Sequence, residues 1–249
     1  MKRKFISIYI ILFFATVGCE EATDIGGLVG NTGVGGSFAQ FTIAKDHLYV
    51  VDAHNLRAYN IANSEKLTRT FDQYIGSGIE TIFPYQDYLF IGSETGMQIF
   101  DISRPSKPKY LSRYVHIQGC DPVVVQGSYA YVTIRDGRTC GGGNANQLDV
   151  LDITDLTNPE LIGSYDMFNP HGLGIDQGQL FVCEGSNGLK TFDASNPRDL
   201  QIMEHLTGFF GYDVIPLNDL LILIGKDGLY QFDYTSPGQL EYLSAIAYQ

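Results

Sequence analysis

A repeat of about 41 residues governs what this chain of 249 residues can fold into. The segments Leu48-Tyr49-Val50-Val51, Leu89-Phe90-Ile91-Gly92, Ala130-Tyr131-Val132-Thr133, Leu180-Phe181-Val182-Cys183 and Leu221-Ile222-Leu223-Ile224 begin 41, 41, 50 and 41 residues apart. A second landmark, Tyr59-Asn60-Ile61, Phe100-Asp101-Ile102, Leu151-Asp152-Ile153, Phe192-Asp193-Ala194 and Phe232-Asp233-Tyr234, recurs at 41, 51, 41 and 40 residues. The long interval is a nine-residue insertion in the third copy, Arg138 to Asn146. Five copies, at about 37–78, 79–119, 120–169, 170–210 and 211–249, occupy the chain from Gly36 to its end and leave no second domain.

Each copy contains four short apolar or alternating runs separated by Gly, Asn, Asp and Pro, the pattern of four strands with turns. In the second copy the runs are Thr81 to Tyr85, Tyr88 to Ile91, Met97 to Ile102 and Tyr110 to Tyr114. Gln86-Asp87, Glu94-Thr95-Gly96 and Pro105-Ser106-Lys107-Pro108 mark the turns. The second run is apolar on both faces, so both faces of its sheet must be covered. Radial stacking of four-stranded antiparallel sheets meets that demand, which predicts an all-β, single five-bladed β-propeller. Leu240 to Tyr248 is the expected outer strand of the last blade; the alternative is a closing strand from Leu28-Val29-Gly30.

The repeat resembles the LVIVD-repeat proteins, whose blade runs from an apolar strand through Tyr-x-Val and Ile-Asp-Ile to Asn-Pro and Leu-x-Gly-x-Tyr. Copy three supplies Asp121-Pro122-Val123-Val124-Val125, Tyr129-Ala130-Tyr131-Val132, Leu148 to Ile153, Asn158-Pro159 and Leu161-Ile162-Gly163-Ser164-Tyr165. The resemblance extends from about Phe38 to the C-terminus and implies a secreted or surface-anchored β-propeller. It specifies a blade and no chemistry. Copies one and five depart from it, since Ile61-Ala62-Asn63-Ser64 lacks the Pro and Ser236-Pro237-Gly238 lacks the Asn. A WD-type blade needs Trp-Asp, and the chain has no Trp.

Candidate functional residues come from the repeat phase. The position where one blade crosses to the innermost strand of the next is Ala39, Glu80, Asp121, His171 and Tyr212. In a propeller these residues ring the mouth of the central channel, with Arg138 of the insertion beside them, and Glu80, Asp121, His171, Tyr212 and Arg138 form the candidate binding site. Two carboxylates near an imidazole are expected to raise the His171 pKa. Cys120 and Cys140, in one copy of an exported chain, are expected to form a disulfide. Cys183 reads as a buried thiol of the core. No catalytic motif is recognisable, and no metal set or cofactor is called for. The chain therefore reads as a binding module for an envelope protein, peptide or glycan; the alternative is a glycan-directed hydrolase using Glu80 and Asp121.

The N-terminus carries the address. Lys2, Arg3 and Lys4 precede an apolar run from Phe5 to Gly18, the layout of a signal peptide over residues 1–18. Gly18-Cys19 resembles a bacterial lipobox, although Thr16 stands where that motif usually has Leu, and plain signal cleavage is the alternative. Lipidated Cys19 and a Gly-rich tether would then occupy residues 19–36, with the protein in the bacterial cell envelope and most simply at the outer membrane. Glu20-Glu21 resembles a surface-export signal. Without its first three basic residues the chain has 13 Lys and Arg against 28 acidic residues. Charge would then repel anionic lipid and nucleic acid, leaving acyl chains as the membrane contact. Cys19→Ala is expected to abolish acyl labelling and membrane fractionation, and unchanged labelling would remove the anchor.

Overall fold

The computed structural model describes residues 35–63, 65–116, 119, 122–136 and 145–248. Among the described residues there is no helix, and twenty strands form five four-stranded antiparallel sheets. Blade 1 holds β1 (Phe41–Ala44), β2 (His47–Val51), β3 (Asn55–Asn60) and β4 (Thr68–Tyr74). Blade 2 holds β5 (Ile79–Tyr85), β6 (Tyr88–Ser93), β7 (Gly96–Asp101) and β8 (Lys109–Val115). Blade 3 holds β9 (Val123–Gln126), β10 (Tyr129–Ile134), β11 (Gln147–Asp152) and β12 (Glu160–Asp166). Blade 4 holds β13 (Leu173–Asp176), β14 (Gln179–Cys183), β15 (Leu189–Asp193) and β16 (Gln201–Leu206). Blade 5 holds β17 (Gly211–Leu217), β18 (Leu220–Gly225), β19 (Gly228–Asp233) and β20 (Glu241–Ala247). The expected five-bladed propeller is thus found, and β20 pairs with β19 as the outer strand of the last blade, while Leu28-Val29-Gly30 lies outside the described residues.

The aspartate of the second landmark has a local task. Asp101, Asp152, Asp193 and Asp233 end the third strand, and each Oδ1 accepts from the backbone N–H two residues on, at 2.7, 3.0, 2.9 and 2.9 Å. Asn60 does the same for Ala62 at 3.0 Å in blade 1. These Asx turns aim the chain into the outer strand. Hydrogen bonds from the following Ser or Thr hold all four carboxyls below their ordinary range.

Stacking of sheets supplies the core. One apolar cluster joins blades 1 and 2, and others join 2 with 3, 3 with 4 and 4 with 5. Strands β6, β10 and β14 are buried almost throughout, as a run apolar on both faces requires, whereas β2 and β18 alternate between buried and half-buried residues. The reason is position: blades 1 and 5 each have one face without a blade-to-blade cluster among the described residues.

Polar contacts span that interval at one end of the channel. The turn Gly36 to Ala39, closed by a 3.0 Å backbone bond, runs from β1 toward blades 4 and 5. Ser37 Oγ donates to Asp213 Oδ1 at 2.8 Å and accepts from Leu173 N at 2.9 Å. Phe38 N donates to Asp213 Oδ2 at 3.3 Å, and Ile82 N donates to Ala39 O at 2.8 Å. A turn beside the first blade thereby holds the inner strands of blades 2, 4 and 5. The approach is close: a Cβ on Gly172 would overlap the Asp213 carboxylate and stand 2.8 Å from its Cα.

Asp213 is buried, and that burial, only partly offset by bonds from Ser37, Phe38 and Val214, pushes its pKa up to about 6. The folded state binds a proton that the unfolded chain has released, so this contribution is complete below about pH 4 and is lost as pH rises through about 6. It amounts to about 2–3 kcal/mol. Asp213→Asn is expected to flatten the fall in melting temperature between pH 4 and pH 7; an unchanged slope would show that another group titrates. Gly172→Ala, which must displace Asp213, is expected to cost about 1–3 kcal/mol in a denaturant melt, and a neutral effect would contradict the close packing.

Candidate functional site

All five inner strands begin at the end of the channel where Ser37 meets Asp213, so the crossing loops and the turns between second and third strands gather there. Two sites in the crossing column are β-bulges. In β5 the register passes from Ile79↔Ser93 to Thr81↔Gly92, leaving Glu80 out of the ladder. In β17 it passes from Gly211↔Gly225 to Asp213↔Ile224, leaving out Tyr212. A bulge re-aims the extra side chain, and here the repeat uses it at the channel rim.

His171 precedes β13 and is fixed from several sides. Its N–H donates to Cys183 O at 2.8 Å, and its carbonyl accepts from Thr133 Oγ1 at 2.7 Å. Gly172 N then donates to Tyr212 O at 2.8 Å, tying blade 4 to blade 5. The imidazole lies edge-on to Phe210 and Tyr212, with ring centroids 5.4 and 5.9 Å away. Arg135 Nη1 lies 2.8 Å from Nδ1 and 3.1 Å from Nε2, and Asn169 Nδ2 lies 3.3 Å from Nε2. Arg135 comes from the end of β10, where the third copy departs into its insertion.

The electrostatics differ from the sequence expectation. Burial and then the Arg135 charge push the His171 pKa down to about 4, so the imidazole is neutral at neutral pH instead of being held protonated by carboxylates. Burial pulls the Arg135 guanidinium below its ordinary value, and the charge of Glu80 opposes that shift. Blades 2, 3, 4 and 5 therefore contribute Glu80, Arg135, His171 and Tyr212 to one end. Tyr212 is 39% exposed whereas His171 is 5% exposed, so the tyrosine offers its ring to solvent and the histidine is a supporting wall. Asp121 and Arg138 lie outside the described residues, as do Cys19, Cys120 and Cys140.

Arg135 and Phe210 are absent from the column Ala39, Glu80, Asp121, His171 and Tyr212. A parallel column in the repeat, one or two residues past each second strand, reads Ala53, Glu94, Arg135, Gly185 and Lys226 and would have pointed to Arg135. Nearby Glu184 is fully buried but committed: it pairs with Lys190 at 2.9 Å and accepts from Phe168 N at 2.8 Å and Asn187 Nδ2 at 2.7 Å. Cys183 is a buried thiol whose pKa burial pushes up, which makes it a core residue and a poor nucleophile.

Along the inner strands lies a cavity of about 340 Å³ whose walls include Ile82, Phe83, Val124, Leu173, Val214 and Pro216. Polar groups near the far strand ends are bonded to the protein: Gln126 accepts from Gly178 N at 2.9 Å, and Asp176 accepts from Tyr234 Oη at 2.7 Å. Among the described residues no group of three His, Cys, Asp or Glu is placed to hold a metal ion.

Comparisons bear on this architecture. The LVIVD repeat family model matches residues 82–115 and 120–167, which fall in blades 2 and 3. No functionally curated protein matches the sequence. A functionally unknown protein from Desulfotomaculum acetoxidans shares the fold with a TM-score of 0.68 at 11% identity, over 88% of this chain and 70% of its own. The periplasmic gluconolactonase PpgL of Pseudomonas aeruginosa aligns with a TM-score of 0.64 at 13% identity, over 81% of this chain and 67% of its own. A protein from Lactobacillus plantarum gives 0.64 at 13% identity, over 82% and 69%. At such identities the likeness is one of fold, and several matched structures are longer, this chain spanning from 60% to 70% of the first three. The repeat, the family model and the five stacked blades thus agree on a five-bladed β-propeller that carries LVIVD repeats in blades 2 and 3.

Proposed function

We propose that this protein is a non-catalytic binding propeller of the bacterial cell envelope, anchored by lipid on Cys19, whose mouth receives a glycan. The observation that carries the reading is the convergence of a guanidinium, a carboxylate and a neutral imidazole beside an exposed aromatic ring, contributed by Arg135, Glu80, His171 and Tyr212. Hydroxyl groups need both donors and acceptors, and a sugar face needs an apolar plane. Polar side chains held at loop ends by a rigid sheet scaffold are suited to recognition.

A hydrolytic reading is less well supported. Acid–base cleavage of a glycosidic bond asks for two carboxyls at a set distance, one with a raised pKa. The raised carboxyl near this end is Asp213, which is buried and joined to Ser37, Phe38 and Val214 as a structural tie. His171 faces the Arg135 guanidinium and is nearly inaccessible, a poor position for a general base. The gluconolactonase among the fold relatives keeps lactone opening as the second reaction to assay.

The test is a glycan array followed by titration of the hits with the mature chain and with Tyr212→Ala. Losing the exposed ring contact is expected to weaken binding by roughly fivefold, about 1 kcal/mol, with little change in melting temperature. His171→Ala is a poor probe, because it also removes a buried ring from the Phe210 and Tyr212 packing. Recovery of intact ligand fits the proposal. Cleaved glycan, or opened gluconolactone in a parallel assay, would replace it with the hydrolase, and equal affinity of Tyr212→Ala would move the site elsewhere.

A further inference from the structure

Equivalent positions in the repeat do not have equivalent surroundings. Register pairs Phe41 with Val50 as it pairs Ile82 with Ile91, Val123 with Val132, Leu173 with Val182 and Val214 with Leu223. Ile82, Val123, Leu173 and Val214 are at most 1% exposed and pack on the preceding blade, whereas Phe41 is 63% exposed. Ile43 is exposed beside it, and Leu48 and Val50 are only half-buried. Across the interval, Ile215, Ile222, Ile224 and Leu229 of blade 5 are half-buried. Their counterparts in blade 1, such as Tyr49, Val51 and Leu56, are closed off by blade 2.

The uncovered apolar surface is narrow. On the outer half of blade 1 the same face carries Arg57, paired with Asp52 and with Asp72, the latter at 3.3 Å. On the outer half of blade 5, Gln231 Oε1 accepts from Ser244 Oγ at 2.8 Å. Charged and hydrogen-bonded outer halves do not ask for a covering blade. The uncovered inner strip is bounded by β1 with β2 on one side and β17 with β18 on the other, four to seven residues long.

The chain itself arrives at that strip. A Cβ on Gly36 would overlap the Asp213 carboxylate and lie 3.5 Å from Ile215 Cγ1, and Gly35 lines the channel cavity together with Pro216. Immediately upstream stand Ile25, Leu28, Val29 and Val34, separated by Gly26, Gly27, Gly30 and Gly33. Ten extended residues reach about 33 Å, ample for strands of four to seven residues. Glycines let a backbone approach two sheet faces closely. We propose that residues 25–34 lie as a wedge in the seam between blade 5 and blade 1 and cover Phe41, Ile43, Ile215, Ile222 and Ile224. The occupant is then a segment of this chain, and the free tether shortens to the few residues before Ile25.

The experiment places p-benzoylphenylalanine at position 41 of the full chain in place of Phe41, irradiates the purified protein, and maps the products by mass spectrometry. A cross-link within one chain to residues 25–34 is expected. A cross-link to β17 or β18 of the same chain would mean that the ring closes on itself, and one to a second chain would make the seam a contact between copies; either overturns the wedge. Solvent-quenched product alone overturns it as well. The same photoreactive residue in place of Ile43 repeats the measurement should the first variant fail to fold.

Discussion

The propeller depends on how its ring is joined, because every sheet in it needs two neighbours and a linear chain supplies only four seams for five blades. Here the fifth interval is crossed by a buried carboxylate. Asp213, from the inner strand of the last blade, holds the turn before the first blade through Ser37 and Phe38, and Ser37 in turn holds the inner strand of blade 4. Hydrogen bonds partly compensate a carboxylate that burial would otherwise expel, and the carboxylate retains a strong dependence on protonation. Gly36 and Gly172 fit because neither places a side chain where that carboxylate lies.

The same contact organises the candidate site. Tyr212 precedes Asp213 in the bulge of β17, and its carbonyl receives the Gly172 N–H one residue after His171. His171 is thus held by the main-chain links that align blades 4 and 5, which explains why it is buried and neutral. Arg135 reaches it from blade 3, at the base of the one insertion in the repeat. The candidate site and the junction of the ring share a rim, so changes at the mouth must be judged by stability as well as by any effect on binding.

Much of the fold was legible because two apolar landmarks kept their spacing through five copies, and because the aspartate after the third strand does the same turn chemistry in four of them. What periodicity could not show was environment. Phe41 has the same character as Ile82 and Val123, yet it lacks their neighbour. Ser37 follows a Gly-rich stretch and gives no sign of being a buried cross-link. For the site, repeat phase located Glu80, His171 and Tyr212 on the crossing column, and the structure puts them at one channel end. It could not give the His171 protonation state, which depends on burial and on Arg135 from another blade.

The junction of the entry turn with blades 4 and 5 through buried Asp213 is what the ring depends on. Its most direct test is an NMR titration of the side-chain carboxyl carbons in the folded protein, with Asp213 assigned by comparison with Asp213→Asn. This resonance is expected to titrate near pH 6, well above the four Asx-turn aspartates. A midpoint at or below about 4 would show a solvated or otherwise paired carboxylate and contradict the buried tie between Asp213 and the entry turn.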